Sequence, residues 1–530
     1  MRNFTHVYSG WKDVIQPQII ERSGVVFVKK RSLYCVVVFV LAMLLPMTAW
    51  GAVKDTLMFR LNSEPVTLDP QNCNDIGVSQ NPHYQLFDSL TRLETDGNLS
   101  MALAETITTS ENGMVLSIKI REGVKFHNGD TMTTEDVEYS LNRAIESRFN
   151  TVMTSSFLKA VKVDDSIVEL HLKYPYAPAL QCLATIQTCV VPKAVVEANS
   201  DGFARDPVGT GCFKFVSWAP GNRIVLTRFD DYYRGPAKIK DLTYTIIPDH
   251  STAFIALEKG EIDIMINPNI SDRDAVMEHP DLVYHECEAA SFMLFTFNNE
   301  VGRFADKRLR KAVSMVVDRE ALIIGKEGQA GLVEAALHPI LPEYPKNFEP
   351  DPLDLAAAKQ LVIDAGYPNG LTVKAPTIDA ATYIIPTTQL QEMLRPIGIT
   401  LEIEIMARGA WNQRVLGDTD YELCLWANPI TVLDADFATY GPFHSSNRGG
   451  NGNFSNCNIP EVDRLVELGR VTPPGPERNE AYRQFCEIIK EEAVIVPFMS
   501  TRRELPARVN LKGIRVNPTM RYYVFDAYWE

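Results

Sequence analysis

The chain has 530 residues, 45% hydrophobic and 22% charged, with a formal net charge of -15. That length exceeds a single core and predicts two or three lobes, and the composition excludes collagen, coiled coil and bulk disorder. The acidic balance disfavours nucleic acid and anionic lipid as partners.

In chain order, Lys29-Lys30-Arg31 is followed by a 13-residue apolar run from Leu33 to Leu45 and then by Ala49-Trp50-Gly51. This is the pattern of a secretory signal cleaved near Gly51, at residues 29–51. The run falls short of the roughly 20 residues that a spanning helix needs. Residues 1–28 ahead of it read as a non-native or unstructured leader, with the true start near Val28. The expected location is periplasmic.

Beyond the signal, Thr56–Leu61 reads as a strand, and the turn-rich stretch 62–70 follows it. A helix is predicted over His83 to Leu90. Met114–Ile120 alternates as a half-buried strand. Thr133 is a candidate N-cap with Asp136 at N3, ahead of a helix burying Val137, Leu141 and Ala144. Strands fill Phe213 to Ile247 around a hairpin at Pro220-Gly221-Asn222. Helix Thr252–Lys259 stops at Gly260 and leads to strand 261–264. Helices are predicted over 306–317, 319–325, 353–365, 387–395 and 477–492, with strands over 400–405, 421–426 and 494–498. Alternating strands and helices argue for α/β lobes. The stretch from Ala427 to Cys457 reads as one long irregular loop. Gly113, Gly123, Gly129, Gly209, Gly211 and Gly260 are placed where positive φ is needed.

Eight of the nine cysteines follow the signal, and in an oxidising compartment they permit disulfides, with Cys182 and Cys189 the expected local pair. His285-Glu286-Cys287-Glu288 looks metal-like, but on an extended segment its side chains alternate between faces, so a surface strand is the reading taken. No metal or other cofactor is expected. GxSxG is absent after the signal and HExxH is absent throughout, so no catalysis is expected.

Four ordered stretches carry a family resemblance. They are Leu103-Ala104-Glu105 through Gly129 with Thr134-Glu135-Asp136-Val137, then Pro207–Gly211 with Lys214-Phe215, then Ile247-Pro248-Asp249 with Ala256–Asp263, then Phe297-Asn298 with Asp306–Val313 and Asp318-Arg319-Glu320. In them the chain resembles the bacterial extracellular solute-binding proteins, family 5, of the dipeptide, oligopeptide and nickel-binding type. The resemblance implies an α/β, two-lobed, type II clamshell fold with a subdomain inserted in lobe one. Lobe I would combine residues 52–95, 205–291 and 498–530, with 96–204 inserted; lobe II would be 292–497. The chain would cross between lobes near 291–296 and 498–501. The implied function is the substrate-binding component of an ABC importer. It would be a monomer that binds a peptide or peptide-like solute between the lobes and hands it to permease and ATPase subunits. A nickel chelate or opine-like ligand, or a ligand-sensing role beside a membrane receptor, is the alternative.

Candidate ligand residues follow from the same resemblance. Trp426 is either an aromatic wall of the cleft or a core tryptophan. Arg408 and Trp411 stand at the cleft rim, Arg408 as a forked donor for a carboxylate or as a solvated arginine. Asn72 and Asn74 offer hydrogen bonds from lobe I or serve a turn. Asp434 and Asp436 are an acidic pair with a role in loop structure. The chain departs from the dipeptide binders at two places: Ala427-Asn428-Pro429 lacks their aspartate, and Ala375-Pro376-Thr377-Ile378 lacks their arginine. Losing both would cost a dipeptide roughly 1.5–3 kcal/mol at each end, which argues against simple dipeptide specificity.

Overall fold

The computed structural model describes residues 54–73, 80–266, 268–269, 272–324, 330–449 and 452–530. The signal and leader regions and Asn74 lie outside the described residues.

One mixed sheet runs through the molecule. Its strands are β1 (Thr56–Leu61), β2 (Phe213–Ala219), β3 (Arg223–Arg228), β4 (Asp241–Ile246), β5 (Ile264–Met265), β6 (Leu282–Phe297), β7 (Leu423–Pro429) and β8 (Ile495–Arg508). Their spatial order is β7-β6-β8-β5-β1-β4-β3-β2, with Ala330–Leu332 pairing on β8. β1 lies parallel to β4 and to β5, while β2, β3 and β4 form an antiparallel meander. β1 pairs on both sides, and four of its six residues are buried, as an interior strand requires.

β6 and β8 hold the centre. They span 16 and 14 residues and pair antiparallel from Leu282↔Arg508 to Thr296↔Ile495. The ladder breaks between Glu288 and Phe292, a bulge that bends the pair. Of the β6 residues before the bulge, Val283 to Glu288 are at least partly exposed, whereas Ala289 to Phe297 are buried.

A four-stranded antiparallel sheet of Ala104–Thr109, Val115–Ile120, Ile167–Leu172 and Phe157–Lys162 stands apart. Helix Thr134–Glu146 covers it. Thr133 accepts the Asp136 backbone N–H while the Asp136 carboxylate accepts the Thr133 N–H, a complete capping box. On the other side of β6 and β8, the parallel pair Leu371–Ile378 and Ile399–Met406 is joined by helix Ala381–Leu394. Separate apolar cores fill the β1 half of the main sheet, the four-stranded sheet, and the regions beyond β6 and β8.

Several sequence expectations need correction. The stretch after Trp426 is not one loop: β7 continues to Pro429, and helix Ala435–Phe443 follows with Asp434 as N-cap. The first helix covers Asn81–Leu86 and stops short of Leu90. Gly209 and Gly211 do not have positive φ. They are required by close approach, because a Cβ on either would collide with backbone oxygens of Gln85 and Leu86. Cys182 and Cys189 remain separate buried thiols. Cys182 packs in the core of the four-stranded sheet and Cys189 in that of the main sheet, so seven residues of separation do not bring them together.

Candidate functional site

At the bulge of β6 the chain makes a seam. The Ile430 N–H donates to the Ala290 carbonyl (2.8 Å), and the Ala290 N–H donates to the Pro518 carbonyl (3.0 Å). Three distant segments therefore meet at one residue. A cavity of about 300 Å³ opens there, at the lower end of the size range for small-molecule sites.

The cavity wall comes from widely separated parts of the chain. Tyr84 stands on helix Asn81–Leu86. Phe149, Val152 and Met153 lie just past helix Thr134–Glu146, and Val152 is 64% exposed. Pro429, Ile430 and Thr431 end β7. Arg503 on β8 joins Pro518 to Arg521 from the C-terminal segment. The wall is mainly apolar, with two guanidiniums set into it.

Those two arginines are held differently. Arg521 is 3% exposed. Its Nη1 donates to the Ala184 carbonyl (2.9 Å), and its guanidinium lies 5.2 Å from the Tyr84 ring centroid. Burial lowers its affinity for a proton, but the Tyr84 and Tyr523 phenols outweigh that and leave its pKa raised. Arg503 sits opposite Cys287 in the β6–β8 ladder. The side chain is partly buried, and its Nε, which is out of solvent, has no acceptor among the described residues. Burial holds its pKa below the usual arginine value despite Tyr522 and Cys287.

The approach to the cavity is braced. Arg143 reaches from its helix to Asp69 (2.5 Å) and to the Gln71 side chain (2.9 Å), and Asn72 donates to Asp69 (2.9 Å). Burial pushes the Asp69 carboxyl up, but its bonds to Arg143 and Asn72 hold it below the usual range.

Residues 98–450 match the sequence profile described as bacterial extracellular solute-binding proteins, family 5 Middle. The chain belongs to this family. It is 25% identical over 476 residues to the oligopeptide-binding protein AppA of Bacillus subtilis (strain 168), covering 84% of this chain and 86% of the relative. It is 25% identical over 495 residues to the glutathione-binding protein GsiB of Escherichia coli O157:H7, covering 90% and 94%. Among solved structures, that of AgaA from A. tumefaciens R10 in complex with agropinic acid aligns with a TM-score of 0.72 at 25% identity, covering 90% of this chain and 99% of AgaA. The fold is the two-lobed α/β architecture of type II periplasmic binding proteins, with the four-stranded sheet as the inserted subdomain. No helix among the described residues is long and apolar enough to cross a membrane.

Within this family fold, none of the described residues singled out from sequence stands on the wall of this cavity. Trp426 stacks on Trp411 (5.4 Å, 1°) and meets Phe454 edge-on (5.1 Å). Beside Trp426 there is space for about one water. Trp411 is fully buried, donating from Nε1 to the Pro376 carbonyl (3.0 Å), so it is not at a rim. Arg408 is exposed and lies 5.4 Å from the Tyr383 ring centroid. Asn72 is exposed and bonds to Asp69, while its neighbour Cys73 lines the cavity.

Asp434 and Asp436 are buried in ion pairs. Arg478 bridges Asp434 (2.5 Å) and Glu343, and Arg470 holds Asp436 (2.9 Å). Asp436 also accepts from the Tyr176 hydroxyl of the inserted subdomain (2.7 Å). Asn428, which stands two residues after Trp426, turns into the core and donates to Ala438 (3.4 Å). Sequence reasoning missed Arg503 and Arg521. Arg503 stands in the polar stretch Ser500-Thr501-Arg502-Arg503-Glu504 of β8 and Arg521 in the turn before Tyr522-Tyr523, so neither is marked out by its sequence neighbours.

Proposed function

We propose that this protein captures a peptide or peptide-like solute in the cavity at the β6 bulge and delivers it to the permease of an ABC importer, without chemistry of its own. The observation that carries this reading is the convergence of distant chain segments on one apolar cavity beside the paired strands β6 and β8. Residues 52–95, 205–291 and 498–530 act as lobe I with 96–204 inserted, and 292–497 act as lobe II. Only two strands then connect the lobes, and a solute touching both favours the closed form. The named relatives support the ligand class: AppA is an oligopeptide binder and GsiB a glutathione binder. An exported location accords with the family and with the signal pattern at 29–51.

The test is native mass spectrometry of protein produced with its signal in a Gram-negative host, followed by X-ray scattering with and without the solute found. A co-purifying peptide-like solute and a smaller radius of gyration when loaded are expected. Loss of the solute without any change in scattering would remove the closure part of the reading.

A further inference from the structure

Other inward-facing guanidiniums among the described residues are accounted for. Arg143, Arg470 and Arg478 each hold a carboxylate. Arg60 donates to three carbonyls, those of Ile247, Ile266 and Pro248. Arg310 likewise donates to the carbonyls of Phe304, Ala305, Glu492 and Ala493. Arg503 and Arg521 depart from this pattern, and both open on the same cavity.

The groups that act on Arg503 are the Tyr522 phenol and the Cys287 thiol, and its buried Nε has no acceptor among the described residues. Those that act on Arg521 are the Tyr84 and Tyr523 phenols, which also hydrogen-bond its fork, and the Ala184 carbonyl accepts from its Nη1. Among the described residues neither is paired with a carboxylate. A guanidinium does not lose its proton at physiological pH, and a buried cation is tolerated where something supplies the opposite charge. Each also keeps donors in a planar fork suited to a carboxylate.

Resting on the proposed peptide-like solute, we infer that the ligand carries two carboxylates, one for Arg503 and one for Arg521, joined by a body that packs on Tyr84, Ile430 and Met520. Both an acidic peptide and a sugar-substituted glutamate of the opine type have this chemistry. These arginines belong to the C-terminal segment of lobe I. They would supply the charge partners that Ala427-Asn428-Pro429 and Ala375–Ile378 do not provide.

The experiment is titration calorimetry on the mature protein with Ala-Leu-Glu, Ala-Leu-Gln, the C-terminal amide of each, and mannopinic acid, a glutamate derivative with two carboxylates. Removing either peptide carboxylate is expected to weaken binding on the order of 10- to 100-fold. In Arg503→Met and in Arg521→Met, affinity for the diacid should fall by a similar factor, and each variant should become indifferent to one of the two amidations. The unsubstituted protein with acid and amide ligands tests the inference even where a variant fails to fold. Tight binding of the tripeptide alone marks an acidic peptide as the source, and of mannopinic acid alone an opine; each supports two anion subsites. Equal affinity for acids and amides overturns the inference and leaves the peptide-like reading standing. Binding by none of the five overturns both.

Discussion

His127 is fixed by the loop that follows the inserted subdomain. Its Nδ1 accepts the Gly209 N–H (3.2 Å) and its Nε2 lies 3.0 Å from the Gly211 carbonyl, to which it donates. Both bonds suit the neutral ring. Burial pushes its pKa down to about 4, against the Gly211 bond, which raises it. The unfolded chain takes up this proton near pH 6.5 and the folded chain only near 4, so stability is complete above about 6.5 and declines as pH falls toward 4. Urea unfolding between those values should show the decline, with a shallower slope in His127→Gln.

Arg478 presents the opposite case, a buried charge whose loss strands its partners. Burial pushes Asp434 and Glu343 up, and Arg478 pulls both back without restoring the ordinary carboxyl value. Arg478→Met leaves two buried acids without a counter-ion and should cost about 3–5 kcal/mol at neutral pH, read from the urea midpoint.

At the scale of elements, backbone contact explains what side-chain pattern does not. The loop through Gly209 and Gly211 lies against the end of helix Asn81–Leu86, where the Gly211 N–H donates to the Leu86 carbonyl (2.9 Å). A methyl at either glycine meets that backbone, which cannot rotate away as a side chain would. Gly209→Ala and Gly211→Ala should each destabilise by about 1–3 kcal/mol. Gly221 has φ +70° and open space around its Cβ position, so Gly221→Ala should cost about 1 kcal/mol from backbone strain alone. Thermal melts of the three variants separate the two causes.

The capping box at Thr133 and the stop at Gly260 (φ +75°) were legible because they are local: the residues that make them are neighbours in the chain. Helix Ala435–Phe443 was not. It is short, contains Pro442, and its N-cap Asp434 also bonds to Arg478, 44 residues away.

Across the whole molecule, the inserted subdomain meets the region beyond β6 through Phe437, which packs against its core, and through a polar cluster. The Ala177 N–H donates to the Arg470 carbonyl (3.0 Å), and Arg470 lies 3.4 Å from the Tyr440 ring centroid. The Tyr176 hydroxyl donates to Asp436 at the same place. If the lobes close as proposed, these bonds form part of the closed state. Tyr176→Phe would then remove about 1 kcal/mol from closure and weaken solute affinity about five-fold, measured by calorimetry.

Family membership and the α/β character were determined by sequence alone, because glycines, caps and apolar periodicity act over a few residues. The departures at 375–378 and 427–429 were also visible there. The cavity wall was decided by tertiary structure. Side chains alternate along a strand, so Trp426 and Pro429, three residues apart on β7, face opposite ways, and only Pro429 reaches the cavity. Arg503 and Arg521 acquire their meaning from what lies around them. A guanidinium is unremarkable in a sequence, and it calls for an anion only once folding has set it in a cavity wall beside phenols instead of carboxylates.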